Sequence, residues 1–421
     1  MPANIIKLIQ SGIGIVLSSI FGIGLVKVLA TKGGPETLGY FGVFRQFFQL
    51  LTVIFTLGNG YAVIEGLPKT LDIKKFTQTV SSYTFWTCTV LSIIILFFSA
   101  PITHILFGSY ENINLIRMIP FMIFTVAYTL LMRSIYAGQG KLIQSGIFWS
   151  FSYFFMFLVS LISTQLDNLY FYGSVISFFI AIIFFKDRSL LTPKIKFERN
   201  IAFEKTAVST AITGLTGFFS FLVVRAICIN KLGPDAGGLL ESSWNLINYC
   251  VLVFLTSLSS YYLPQISARP SDIEFRKKFF KIINGFSLTS LIFLCWMKPV
   301  IIPLLFSKEF LPAANLVVIM SIGEYLKCLN YFFIFSLIGI SRKRPYLLID
   351  SFSNFLFIAL TFILPIQELE SFGYIYVAYQ AFYLICSMLL NYKFKIISIN
   401  TALINLIIGL SVWSIYLFLL N

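Results

Sequence analysis

The chain has 421 residues, of which 58% are hydrophobic and only 11% charged. A water-soluble protein cannot cover its surface with so few charges, so a soluble enzyme or soluble binding module is excluded. The formal charge of +14 would suggest nucleic acid in a soluble domain, but here it sits in short loops between apolar runs, and no nucleic-acid partner is expected.

Thirteen apolar spans follow one another, at about 5–30, 38–63, 79–103, 114–137, 142–164, 168–185, 206–230, 239–262, 282–305, 312–338, 345–365, 372–392 and 400–420. Most approach the roughly 20 residues that cross a bilayer as helix. Lys7 before the first run resembles a signal peptide. The segment is long enough to span, however, and carries the first copy of a repeat, so it is read as a retained helix. Gly12, Gly14, Gly22 and Gly24 within it permit close approach of another helix.

Between the first two spans lies Lys32-Gly33-Gly34-Pro35-Glu36-Thr37-Leu38-Gly39. The pattern K-x-G-P-[DE]-x-x-G returns 199 residues later at Lys231-Leu232-Gly233-Pro234-Asp235-Ala236-Gly237-Gly238. The offset persists along the chain. Leu67-Pro68 matches Leu263-Pro264, Leu106-Phe107-Gly108 matches Leu305-Phe306-Ser307, and Gly138-Gln139-Gly140-Lys141 matches Gly339-Ile340-Ser341-Arg342. Two related halves in tandem are the mark of transporters whose substrate path lies between the halves. Six spans per half start both halves on the same side, so the repeats are parallel. The expected fold is an all-α polytopic membrane protein of two six-helix bundles. Residues 1–185 form the first lobe, 186–205 a basic linker, 206–395 the second lobe, and 396–421 an additional helix with no repeat partner, read as an appendage.

With the N-terminus in the cytoplasm, the cytoplasmic connections carry 21 cations, six of them in the linker. The opposite connections carry three, Lys32, Lys231 and Lys308. By the positive-inside rule this bias orients the chain.

Seven cations remain in or at the edges of spans. Arg117, Arg133 and Lys298 lie near span ends, where their stems can carry the charge to the interface. Lys27, Arg45 and Arg225 sit in the outward half of spans 1, 2 and 7, where a charge in hydrocarbon needs a reason. They are the candidate substrate-binding cations: arginine grips phosphate as a planar fork, lysine as a point charge. Snorkelling to headgroups is the alternative. Glu324 and Lys327, three apart on span 10, share a helix face; they form either a self-neutralising structural pair or a gating or ion-coupling element. Glu65 and Asp350 lie near cytoplasmic ends, within reach of basic loops. The six cysteines all fall inside apolar segments without a C-x-x-C pair, and His104 is the one histidine. No metal site, cofactor or catalytic constellation is expected.

The runs Gly34-Pro35-Glu36-Thr37-Leu38-Gly39, Phe44-Arg45-Gln46, Tyr262-Leu263-Pro264, Leu305-Phe306-Ser307-Lys308-Glu309-Phe310 and Gly323-Glu324-Tyr325-Leu326-Lys327 resemble bacterial Wzx-type polysaccharide flippases. These belong to the MOP superfamily, with the MATE multidrug exporters and the lipid II flippases. The likeness covers about residues 1–395 and is strongest to the enterobacterial flippases of lipid III or O-antigen units. It implies twelve core helices in two lobes, a V-shaped cavity and alternating access. The implied substrate is an undecaprenyl-diphosphate-linked oligosaccharide, carried from the cytoplasmic to the periplasmic leaflet of the inner membrane. Lys27 and Arg45 would stand among the family's cavity cations. A polysaccharide polymerase and a chain-length regulator are implied company. Two rivals stand beside this reading. A drug or cation antiporter of the same fold would favour acidic rather than cationic cavity residues. A polytopic polymerase or glycosyltransferase would need a sizeable outward loop, and the outward loops here are about ten residues or shorter.

Overall fold

The computed structural model describes residues 3–56, 59–67, 70–193, 201–258, 262–268, 271–340 and 343–420. Pro68, Lys69, Lys194, Lys196, Arg199, Arg269, Ser341 and Arg342 lie outside the described residues. Every long element described is helical: α1 Ala3–Thr56, α2 Asn59–Gly66, α3 Ile73–Phe97, α4 Ser99–Phe107, α5 Ile113–Gly138, α6 Leu142–Ile162, α7 Leu166–Phe184, α8 Ile201–Leu232, α9 Pro234–Ser257, α10 Leu263–Ala268, α11 Ile273–Leu305, α12 Ala314–Gly339, α13 Lys343–Ile363, α14 Glu370–Phe394 and α15 Ile399–Leu420. Among the described residues ten helices are long and apolar enough to cross a membrane. The protein is a multi-pass membrane protein.

The repeated motif is a turn. In α1 the helix breaks at Gly34, with φ 69° and ψ −170°, and Pro35 restarts it. At the second copy α8 ends at Leu232, Gly233 takes φ 89°, and Pro234 opens α9. A side chain would strain the first position of either step, and proline suits the first residue of the next helix because its missing N–H would be unsatisfied there anyway. α1 is thus two legs, which separates the first and second expected spans. Lys32 Nζ donates to the Leu161 carbonyl (2.6 Å) at the end of α6, where a helix C-terminus favours positive charge. A second repeated device went unread in the sequence. Asp72 caps α3 by accepting from the Lys75 N–H (2.8 Å), and Asp272 caps α11 by accepting from the Phe275 N–H (2.9 Å).

Two compact units divide after Asn230. They do not coincide with the repeat halves, because α8 groups with the first. Three contacts hold it there. Tyr83 OH on α3 donates to Glu204 Oε1 (2.6 Å), Gln46 Nε2 on α1 to the Phe218 carbonyl (3.1 Å), and Asn230 Nδ2 to the Ile105 carbonyl of α4 (3.1 Å). In this unit the first leg of α1 packs along α6. Gly14 and Gly146 meet backbone to backbone with no room for a Cβ, Gly24 lies under Phe157, and Phe21 meets Phe154 edge-on at 4.9 Å. The expectation of glycine-mediated close approach thus finds its partner helix. The second leg packs on α7 through Phe41, Phe44 and Phe48, all within 6.0 Å of the Tyr170 ring.

In the second unit α12 is the central element, buried on nearly every side from Leu316 to Gly339. Tyr262 OH meets Ser336 Oγ at 2.7 Å, and the Tyr262 ring stacks on Phe279 of α11 at 4.4 Å. The last helix, α15, packs on the second unit along one side. Ala402 and Trp413 are buried, Asn284 of α11 donates to Asn405, and a Cβ at Gly409 would strike the Tyr325 hydroxyl. Ala402, Asn405, Gly409 and Trp413 recur every three or four residues, one stripe of a helix. The opposite residues Leu403, Ile404, Ile407 and Ile408 are exposed, as a bilayer-facing side should be.

Candidate functional site

The three candidate cations lie in the first compact unit, on α1 and α8, and differ in environment. Lys27, on the first leg of α1, is exposed. Arg45, on the second leg, is half-buried with its guanidinium 5.3 Å from the Phe41 ring. Arg225 on α8 is only 7% exposed; its Nη1 donates to the Phe221 carbonyl (3.4 Å) and its guanidinium lies 5.9 Å from the Phe221 ring. Each arginine therefore lies against a phenylalanine one turn earlier on its own helix. The F-x-x-x-R spacing at 41–45 and 221–225 is the sequence signal of this arrangement. The electron-rich ring face favours the cation, more so where water is scarce. Gln46, next to Arg45, donates to the carbonyl of Phe218, about two turns before Arg225, so the two arginine-bearing helices touch there.

Arg117 is exposed. Arg133 behaves otherwise: its guanidinium lies 3.8 Å from the centre of the Trp149 ring on α6, a packed position rather than a free arm reaching for headgroups.

The pairing of Glu324 with Lys327 is seen directly. Lys327 Nζ lies 2.8 Å from Glu324 Oε1 and 3.2 Å from Asn248 Oδ1 of α9. The other carboxylate oxygen of Glu324 accepts from Tyr376 OH of α14 (2.6 Å). Glu324 is 1% exposed; its charge is neutralised by Lys327 one turn along the same helix and hydrogen-bonded by Tyr376 of α14, as a buried carboxylate requires.

Two further acids lie within the helices of the second unit. Asp350 was expected to meet basic loops; instead it lies within α13, where Tyr383 OH donates to its Oδ1 (2.8 Å) and Asn354 Nδ2 to its Oδ2 (3.5 Å). Tyr379 OH in turn donates to Asn354 Oδ1 (3.1 Å). The helix places Asp350 one turn from Asn354, and α14 presents Tyr376, Tyr379 and Tyr383 on the facing side, so among the described residues a tyrosine hydroxyl and an amide meet the carboxylate; the side chains of 342–344 lie outside the described residues. Glu241 of α9 is 1% exposed and accepts from Asn245 Nδ2 (3.0 Å). An acid inside the apolar span 239–262 was its signal.

No family model matches the chain. It is 21% identical over 351 residues to the lipid III flippase of Escherichia coli (strain K12), covering 78% of this chain and 84% of that protein, and equally to the lipid III flippase of Shigella flexneri. Its structure is similar to the lipid II flippase MurJ in an inward closed conformation, with TM-score 0.78, 16% identity, and coverage of 97% of this chain and 98% of that one. It is also similar to a multidrug resistance MATE family transporter of the MOP superfamily, inward-facing, with TM-score 0.70, 12% identity, and coverage of 96% and 95%. The chain has the fold seen in MurJ and in MATE transporters.

Proposed function

We propose that this protein is a non-enzymatic flippase of the bacterial inner membrane. It moves an undecaprenyl-diphosphate-linked oligosaccharide, an O-antigen-type repeat unit, from the cytoplasmic to the periplasmic leaflet by alternating access. The carrying observation is the set of cations within apolar helices, Lys27, Arg45 and Arg225, on a fold shared with a lipid II flippase. The substrate diphosphate needs cations in a place of low dielectric, where a charge-assisted contact is strong. The glycan occupies the water-filled cleft while the polyprenyl tail stays in lipid. The curated relatives are lipid III flippases, which supports a lipid-linked glycan over a drug.

In this reading the repeat halves 1–185 and 206–395 are the moving lobes, joined through 186–205. The N-terminus is cytoplasmic, on the ground of the 21 to 3 cation bias. The Glu324–Lys327 pair gates or couples the movement of the second lobe. The exported unit passes to a polysaccharide polymerase working with a chain-length regulator.

Reconstitution tests the function. Protein in vesicles loaded with the lipid-linked oligosaccharide in both leaflets should expose the whole pool to an external glycosidase, while protein-free vesicles expose half. Exposure limited to half in both would reject flipping.

A further inference from the structure

An apolar cavity of about 420 Å³ opens inside the first unit, between α3, α5 and α7. That is within the roughly 300–1,000 Å³ of small-ligand sites. It is unrelated to the candidate cations on α1 and α8. Phe85, Phe124, Tyr128, Phe178 and Ile182 form its walls, and Arg188 stands among its lining residues.

The helix ends give its depth. α3 starts, and α5 and α7 end, on the same membrane face as Arg188. Phe178 is six residues from the end of α7, Phe85 twelve from the start of α3, and Phe124 fourteen from the end of α5. At 1.5 Å per residue these are about 9, 18 and 21 Å from that face. Half of a bilayer's hydrocarbon is about 15 Å thick. The pocket therefore runs from headgroup level through one leaflet, apolar and aromatic all the way, with an exposed arginine at its mouth.

The mouth is built. Gln78 Nε2 of α3 donates to the Ser189 carbonyl (3.3 Å) and to Thr192 Oγ1 (3.2 Å), and Ser81 Oγ donates to the Leu191 carbonyl. These bonds pin residues 189–192 across the end of the pocket. Arg188 Nε donates to the Ile182 carbonyl (3.1 Å) and Nη2 to the Ile183 carbonyl (3.4 Å) at the end of α7. A guanidinium carries five N–H donors, so the group can cap the helix and still meet a phosphate. Lys186 is exposed beside it.

We propose that this pocket holds one acyl chain of an anionic phospholipid from the surrounding bilayer, its phosphate at Arg188. A cation at headgroup level, an open apolar groove one leaflet deep and aromatic walls match a phospholipid end to end. The bound lipid would fasten the start of the 186–205 connection to α3, α5 and α7. The proposal does not depend on what the protein transports.

The test uses the full chain in vesicles containing a trace of photoactivatable lipid with a diazirine in its acyl chain. The probes are phosphatidylglycerol, phosphatidylethanolamine or undecaprenyl phosphate, and labelled peptides are mapped by mass spectrometry. Phosphatidylglycerol should label the α3, α5 and α7 peptides about fivefold more than phosphatidylethanolamine, the effect of one cation at an anionic membrane surface. Arg188→Gln, which keeps a donor for the α7 carbonyls but loses the charge, should remove that preference. Ile182→Trp should abolish labelling at an unchanged melting temperature; if it lowers the melting temperature, Arg188→Gln decides. Equal labelling by the two phospholipids, or labelling unchanged by Arg188→Gln, overturns the proposal. Stronger labelling by undecaprenyl phosphate overturns it in favour of a carrier-lipid site.

Discussion

Lys327 and Glu324 close an ion pair at 2.8 Å one turn apart on α12, with Tyr376 of α14 bonded to the carboxylate's other oxygen. The pair can be tested as structure or as mechanism. Removing one partner leaves a buried charge uncompensated, at about 3–5 kcal/mol, while removing both is far less harmful. Glu324→Gln or Lys327→Met alone should lower the melting temperature of the purified protein markedly, and the double variant should recover most of it. If the double variant melts normally and still transports, the pair is structural. If it melts normally and transport is lost, the pair belongs to gating or coupling.

α15 makes a second prediction. Asn284 donates to Asn405, and Tyr325 OH donates to Asn284 Oδ1. Truncation after Lys395 removes Asn405 and opens Asn284 and Tyr325 to lipid. Interhelical hydrogen bonds in membranes average only about 0.6 kcal/mol, so Asn405→Leu should be mild. Gly409→Leu drives a side chain into Tyr325 and should be worse, by about 1–3 kcal/mol or more. Melting in detergent orders them: truncation most damaging, then Gly409→Leu, then Asn405→Leu. A truncated chain with wild-type melting would show that α15 contributes nothing to the second unit.

Much of this architecture is legible in the sequence. Apolar run lengths placed the long helices, because a bilayer fixes the length of a span. The K-x-G-P repeat was legible as a repeat, though not as a turn built on Gly34 and Gly233 with positive φ. What stayed hidden was direction around each helix. In a soluble protein polar residues mark the outer face, but lipid is as apolar as the core, so periodicity does not say which side is buried. Hence Arg225 and Lys27, matched by the repeat, could not be told apart as buried and exposed. Hence also α15, uncharged and with few polar residues, hid the stripe that packs on α11. Asp350's described partners, Tyr383 and Asn354, come from a facing helix and from its own next turn, neither visible in loop composition.

Orientation is open to chemical labelling. In a cysteine-free background, single cysteines at the exposed positions Glu36, Asp235 and Glu368 should react with a membrane-impermeant thiol reagent in intact cells. Cysteines at Lys74 and Lys277 should be protected until the cells are opened. The reverse pattern would invert the assignment from the positive-inside rule.

The two turn glycines should be intolerant for a backbone reason. Gly34→Ala and Gly233→Ala force a side chain into the left-handed region, at about 1–2 kcal/mol each. Gly217, helical and with open space where a Cβ would go, is the control: Gly217→Ala should be neutral or stabilising. Thermal melting of the three variants reads this directly, and a tolerant Gly34 would mean that the α1 break does not need positive φ.

Export decides whether Arg45 and Arg225 serve the substrate or only the membrane interface. The Arg45→Gln, Arg225→Gln double variant is expressed in a strain lacking its own flippase, with Lys277→Ala, a surface cation, as control. Surface glycan and inner-leaflet lipid-linked precursor are both measured. If the cations bind the diphosphate, the double variant loses export and accumulates precursor at normal protein level, while Lys277→Ala exports as wild type. Full export by the double variant at normal expression would contradict a cationic substrate site.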